Sequence, residues 1–137
     1  MSLDWYRDIV DFHREVIGDS FPTTPHMPAD KYQDLRHNLI EEEMGETLVA
    51  ISFGNLTEIA DGIVDSIVVL LGTAVTYGID IRPIWNEVHR TNMAKKGGKL
   101  RKDGKLLKPK GWKPPEVERL IKEQGDNCRI FAAEGRK

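Results

Sequence analysis

The chain has 137 residues, 39% of them apolar and 31% charged, which is the balance of one folded domain with one core and excludes a disordered or fibrous chain. Its net charge of −2 excludes a global electrostatic pull toward nucleic acid or membrane. The charge is nonetheless uneven: nine Lys/Arg and one acid, Asp103, between Lys95 and Lys113 give that segment +8 and leave −10 on the rest. Cys128 is the single cysteine, so no intrachain disulfide can form. With no apolar run of signal-peptide form at the N-terminus, the expected location is cytoplasmic.

In chain order, a first helix is expected from about Leu3 to Ile17, where Trp5, Ile9, Phe12 and Val16 recur at helical spacing and Gly18 supplies a stop. Asp19 to Asp30 holds Pro22, Pro25 and Pro28 and reads as a loop, either ordered or flexible. A second helix should begin near Pro28–Asp30 and reach about Phe53, with Leu35, Leu39, Ile40, Met44, Leu48 and Ile51 as its buried stripe. Gly54–Asn55 turns the chain, and Thr57 is expected to cap a third, largely buried helix reaching Tyr77. Its most apolar stretch, Ile63 to Val75, is too short to span a bilayer and begins beside Asp61 and Asp65, so no membrane role is expected. A fourth helix should begin near Pro83, carry Ile84, Val88 and Thr91 inward, and stop by Gly97–Gly98. Asp103–Gly104, between Lys-Leu-Arg-Lys and Lys-Leu-Leu-Lys, signals a hairpin turn. Pro114–Pro115 opens a last short helix, and the tail from Gly125 is expected to be loosely held. The sum is an all-α chain of four to five helices forming a single domain over 1–137, with its core over about 30–97 and a basic extension, a short hairpin or loop, over 98–137.

The chemistry-bearing residues are acids. Glu41-Glu42-Glu43-Met44-Gly45-Glu46 sets Glu42 and Glu46 four apart and Glu43 and Glu46 three apart, on one face of the second helix. Glu58, Asp61 and Asp65 are three and four apart on one face of the third, and Asp65 sits among Ile63, Val64, Ile67 and Val68. An ionised carboxylate beside an apolar stripe is costly unless compensated. Two such faces meeting across a tight turn would repel and raise one another's pKa, and divalent cations remove the conflict. Magnesium, an oxygen-seeking ion that binds through few carboxylates plus substrate phosphates, suits that arrangement and the hydrolysis of a phosphoanhydride; manganese is a substitute.

The pattern Glu42-Glu43-x-x-Glu46, a short turn, then acids ending at Asp65 resembles the MazG-like all-α nucleoside triphosphate pyrophosphohydrolases, whose signature is EExxE followed by ExxD on the next helix. Asp65 to Asp80 with its Tyr-Gly-Ile-Asp ending, and Asn92-Met-Ala-Lys95 as an N-x-x-K, share the likeness, which covers roughly residues 30 to 97. The "FHR" string of the first helix, the proline loop and Glu-Val-His-Arg-Thr-Asn-Met at Glu87 to Met93 resemble the phosphoribosyl-ATP pyrophosphohydrolase-like branch. The resemblance implies metal ligation by Glu43, Glu46, Asp61 and Asp65, and a role for Glu42 either as ligand or as the base that orients the attacking water. It implies that Asn92 and Lys95 bind the substrate's phosphates or sugar, and that subunits pair as homodimers or homotetramers. The chain departs from the pattern at one place: three residues before Asp65 stands Gly62. Either Asp61 serves from the neighbouring position, or the register is Glu58-x-x-Asp61, which makes Glu58 a further candidate ligand.

The reading is therefore a pyrophosphohydrolase cutting a nucleoside or deoxynucleoside triphosphate to the monophosphate and pyrophosphate, as nucleotide-pool housekeeping. Phosphoribosyl-ATP hydrolysis in histidine biosynthesis is the first alternative. The second is a non-enzymatic binder using the basic segment, against which stands its scarcity of aromatics; no nucleic-acid partner is expected. Arg36 is assigned either to the phosphates or to the acids as their partner. Lys96 and Lys99 are further phosphate candidates. Trp112 either packs the hairpin or stacks on a base. His13, His26 and His37 have no metal-site spacing, and the carboxylates favour a hard cation over zinc.

Overall fold

The computed structural model describes residues 3–125, so Cys128 and the expected loose tail beyond Gly125 lie outside the described residues. The elements are α1 (Trp5–Phe12), which runs on into a π-helical turn at His13–Ile17, α2 (Asp30–Phe53), α3 (Leu56–Thr76), α4 (Ile81–Met93) and α5 (117–125). Among the described residues no strand forms beyond an isolated antiparallel bridge between Leu100 and Leu106, and the expected all-α class is borne out. The chain divides into a unit ending at Asp80 and a unit beginning at Ile81.

In the first unit, Asp4 caps α1 by accepting the Arg7 N–H at 3.0 Å. The backbone N–H groups of Gly18 and Asp19 both donate to the His13 carbonyl at 2.8 Å, which widens the last turn. The expected stripe of Trp5, Ile9, Phe12 and Val16 is not buried as a set: Trp5 and Phe12 are exposed ahead of the wide turn, which rotates only later positions such as Val16. Ile9 and His13 are buried, whereas Val16 stays 72% exposed. The proline stretch is ordered: the His26 N–H donates to the Tyr77 carbonyl at 2.9 Å, and Phe21 meets Tyr32 edge-on with centroids 4.9 Å apart.

Gly54, at φ 71°, turns α2 into α3, and Asn55 rather than the expected Thr57 is the cap, its Oδ1 accepting the Glu58 N–H at 3.1 Å. The two helices pack closely. Arg36, Glu43, Thr47 and Ala50 form the face of α2 that meets α3; Arg36 and Ala50 are buried and the other two half-buried. Arg36 donates through Nη2 to the Val69 carbonyl at 2.8 Å and through Nε to Thr73 Oγ1 at 3.1 Å. Thr47 and Ser66 share a hydroxyl hydrogen bond of 3.1 Å. Gly72 lets α3 come this close, since an added Cβ would lie 2.6 Å from Arg36 Nη2 and 2.7 Å from His13 Nε2.

This polar seam overturns the expected burial. Leu35, Met44, Leu48 and Ile51 of α2 are 48%, 44%, 65% and 56% exposed, and α3 leaves Ile63, Val64 and Leu70 in the open. The helical periodicity is present, but its apolar stripes are only partly covered: Leu39 and Ile40 of α2 and Ile67, Val68 and Leu71 of α3 are half-buried while the rest lie open. Helix α3 is also longer than its most apolar stretch suggested. With 21 residues and a mean hydropathy of 1.8, it is long and apolar enough by those measures to cross a membrane, and 17% of that segment is buried. Asp61 and Asp65 fall along it, and a charged residue at a bilayer centre costs about 2.5–3.5 kcal/mol or more.

In the second unit, α4 begins two residues before Pro83 and buries Ile84 and Thr91. The expected hairpin forms: the Arg101 N–H donates to the Lys105 carbonyl at 2.7 Å and the Leu107 N–H to the Lys99 carbonyl at 2.8 Å. Its turn is fixed by Arg101, whose guanidinium grips Asp103 at 2.8 and 2.6 Å. The Glu116 N–H at the entry to α5 donates to Glu87 Oε2 of α4 at 2.7 Å.

Candidate active site

The α2–α3 hairpin sets two rows of acids across one seam. Glu42, Glu43 and Glu46 come from α2, and Glu58, Asp61 and Asp65 from α3; Glu43 and Asp65 are half-buried and the others exposed. Helix α3 approaches α2 at Gly62, where an added Cβ would lie 2.5 Å from Thr47 Oγ1 and 3.2 Å from Thr47 Cα. Position 62 is thus a helix contact with no room for a carboxylate, and the departure from the ExxD pattern has a steric cause. The acids of α3 that flank the contact are Glu58 and Asp61 on one side and Asp65 on the other, all on exposed or half-exposed surface.

Electrostatics tie the two rows together. The Glu43 carboxyl is held above the usual carboxylate range, first by desolvation in the seam and then by the charges of Glu46, Asp65, Glu42 and Asp61. Acids on both helices therefore lie within electrostatic reach of one group. Among the described residues, no three His, Cys, Asp or Glu side chains are drawn together into a ready-made coordination cluster. An all-oxygen donor set of this kind fits a hard divalent cation.

The remaining candidates separate by environment. Glu41 stands outside the cluster, 76% exposed and 3.7 Å from His37. Arg36 faces neither solvent nor the acids' outer edge. It lies seven residues before Glu43, about 10 Å along the helix, buried and engaged by Val69 and Thr73. Burial pulls its pKa down while Asp19 pulls it up, and Asp19 Oδ2 in turn accepts from His13 Nδ1–H at 2.9 Å. His13, Asp19 and Arg36 thus form an internal polar group.

In the second unit, Lys95 Nζ donates to Asn92 Oδ1 at 2.9 Å, so the N-x-x-K pair is already joined. Lys96 and Lys99 are exposed. Trp112 Nε1 donates to the Thr91 carbonyl at 2.7 Å, and Lys95 and Lys108 lie 5.2 and 5.0 Å from its ring centroid. The indole therefore packs the hairpin segment onto α4, and its ring is occupied by two ammonium groups.

Sequence reasoning missed Thr47, Ser66, Glu87 and Lys108. The small residues Gly62 and Ser66, four apart on α3, carried a signal of close helix approach. Nothing local marked Glu87 or Lys108, whose partners come from distant positions.

The family model for phosphoribosyl-ATP pyrophosphohydrolase matches residues 10–92, more than half of the chain, taking in the first unit's acids and α4 as far as Asn92. No curated protein matches the chain. The chain belongs to the phosphoribosyl-ATP pyrophosphohydrolase family, one of the MazG-like all-α superfamily of NTP pyrophosphohydrolases.

Proposed function

We propose that the chain hydrolyses the α–β phosphoanhydride of a nucleoside or deoxynucleoside triphosphate, releasing the monophosphate and pyrophosphate, with magnesium as cofactor and manganese as substitute. The observation that carries this reading is the α2–α3 hairpin, which brings Glu42, Glu43 and Glu46 and Glu58, Asp61 and Asp65 to one seam with Glu43 and Asp65 half-buried; the Glu43 carboxyl is raised there, first by desolvation and then by acids of both helices. A site that holds several carboxylates against their own repulsion is organised for a cation and a polyphosphate rather than for its own stability.

Glu43, Glu46, Asp61 and Asp65 would hold magnesium, with Glu58 beside Asp61 as a further ligand. The bound ion would neutralise phosphate charge and acidify water. Glu42 would orient the attacking water and receive its proton, and the pyrophosphate would leave with the electrons of the broken P–O bond. Asn92 and Lys95 would bind the substrate's phosphates or sugar, and the exposed Lys96 and Lys99 would be further phosphate contacts. Arg36, buried and engaged, would position α2 against α3.

The family match favours phosphoribosyl-ATP as a second reading, with the same bond broken and the same pyrophosphate released. A magnesium-supplemented panel of ribo- and deoxyribonucleoside triphosphates and phosphoribosyl-ATP separates the two by rate. Glu46→Ala and Asp65→Ala are expected to lower pyrophosphate release by about a hundredfold or more each. Release unchanged in both would end the metal assignment.

The open apolar stripes of α2 and α3 support assembly with further copies of the chain, as a homodimer or homotetramer, because contiguous exposed Leu, Ile, Val and Phe of this extent ordinarily mark an interface. Light scattering at micromolar concentration tests this, and a monomer would refute it.

A further inference from the structure

Residues 95–112 carry a connected set that lies mostly past the family-matched segment. Trp112 is anchored from its edge by the Nε1–H bond to the Thr91 carbonyl at 2.7 Å. That carbonyl belongs to the last turn of α4, one residue before Asn92. The ring then holds the Lys95 ammonium at 5.2 Å, and the same ammonium donates to Asn92 Oδ1 at 2.9 Å. Around Lys95 the chain has already left regular helix: the Lys95 N–H reaches back three residues to Asn92, and the Lys96 N–H three to Met93. A lysine on such a turn, with four rotatable bonds and no rigid neighbour, would sample a wide volume of solvent. The indole removes that freedom, and two of the ammonium's contacts are fixed while it still has a donor to give.

We propose that Trp112 is a positioning residue for anion binding: it holds Lys95 and Asn92 as a preformed pair for the phosphates of the substrate. The inference rests on the proposed role of Asn92 and Lys95 as phosphate contacts. Its physical basis is preorganisation. A lysine fixed before the ligand arrives loses less side-chain entropy on binding than a free one. The ring's negative face also draws the ammonium without consuming a hydrogen-bond donor. Trp112 itself touches no substrate in this scheme.

Magnesium pyrophosphate is the probe, because it is the product under either substrate reading and makes no demand on base or sugar. Calorimetric Kd values for the full chain are compared in wild type, Lys95→Ala, Trp112→Leu, Trp112→Phe and the Lys95→Ala/Trp112→Leu double variant. Lys95→Ala should weaken binding about tenfold. Trp112→Leu should weaken it about three- to tenfold, and in the Lys95→Ala background the same change should add less than about twofold. Trp112→Phe keeps a ring without the Nε1–H anchor, and it should recover part of the loss. A Trp112→Leu effect that is undiminished when Lys95 is already alanine would overturn the positioning role while leaving Lys95 as a phosphate contact. A Lys95→Ala variant that binds as tightly as wild type, or a wild type that takes up no pyrophosphate at millimolar concentration, would overturn the phosphate reading of α4 and this inference with it. Should Trp112→Leu fail to fold, Trp112→Phe in both backgrounds gives the same cycle at smaller amplitude, and an additive result there is equally fatal.

Discussion

The two units handle charge in opposite ways. In the first, acids from α2 and α3 come to one seam with no salt bridge to them among the described residues, and the Glu43 carboxyl is pushed up by desolvation and then by its neighbouring acids. In the second, an acid of similar surroundings is fully answered: Glu87 receives Arg90 through Nε at 2.8 Å and Nη2 at 3.2 Å, and the Glu116 N–H at 2.7 Å. Its carboxyl is pushed down to about 2, chiefly by those bonds. Glu87 holds α4 and α5 together and has nothing left to bind. The seam of the first unit has the reverse character, and its acids are the ones we propose an added cation would resolve. A charge that is satisfied within the chain reads as architecture, and one that is left in conflict reads as a site.

The comparison breaks most severely at the contact that creates the seam. Gly62→Ala places a methyl 2.5 Å from Thr47 Oγ1. Either α3 retreats or Thr47 gives up its bonds to the Glu43 carbonyl at 2.8 Å and to Ser66. The expected cost is about 1–3 kcal/mol of stability by urea titration. Because the acids ride on the same helices, pyrophosphate release should fall with it. Gly45→Ala, where an added Cβ meets nothing within 4 Å, should be neutral to mildly stabilising on the same axis, since it lies inside α2. Equal behaviour of the two variants would mean that the close approach at Gly62 matters to neither fold nor site.

That contact also marks the limit of what the sequence could reveal. Helix positions, the Gly54–Asn55 turn, the Asp103–Gly104 hairpin and the rows of acids were legible because each rests on local spacing or local turn chemistry. The burial of α2 and α3 was not. Periodicity reports that Leu35, Met44, Leu48 and Ile51 share a stripe; it does not say whether the stripe meets the chain's own core or something else. The face that does meet α3, through Arg36, Glu43, Thr47 and Ala50, is mixed in character and leaves no apolar signature. The departure from the ExxD pattern at Gly62, visible in the sequence, has a cause that was not legible there. Gly62 is chosen by the backbone of α2, a partner fifteen residues away in sequence. Arg36, read from the sequence as a contact either for the phosphates or for the acids, is engaged within the fold by Val69 and Thr73.

A smaller effect sharpens the first half of the comparison. The Glu43 pKa is raised above its unfolded value, so folding favours the protonated form. Stability should therefore fall as the pH rises through the unfolded value of 4.5 and the folded value above it, and no penalty should exist below 4.5. Glu43→Gln should then raise the melting temperature at pH 7 in the presence of a chelator. Magnesium should reverse the ranking, since the wild type alone keeps the full set of oxygens for the ion. Melting curves with and without magnesium at pH 7 test both halves, and a Glu43→Gln variant less stable than wild type in chelator would show that the carboxylate is already compensated within the chain.

The smallest effect belongs to the satisfied carboxylate, and its sign is opposite. Glu87 has a folded pKa of about 2 against an ordinary 4.5. The stability it contributes is fully present above 4.5 and is lost as the pH falls from there toward 2. Its side chain is 9% exposed, but Arg90 opposite it is 62% exposed, and solvent screening of that partner keeps the contribution modest. Glu87→Gln keeps the shape and one acceptor while removing the charge. It should melt below wild type at pH 7, and the gap should narrow steadily as the pH is lowered below 4.5, where the carboxylate takes up a proton in the unfolded chain while the folded one stays ionised down to about 2. A gap of constant size from pH 7 to pH 3 would assign the effect to packing. A gap that closes would show that a charge held by Arg90 and by the backbone of α5 fastens the second unit, leaving the pH response of the first unit to be read from Glu43 without interference.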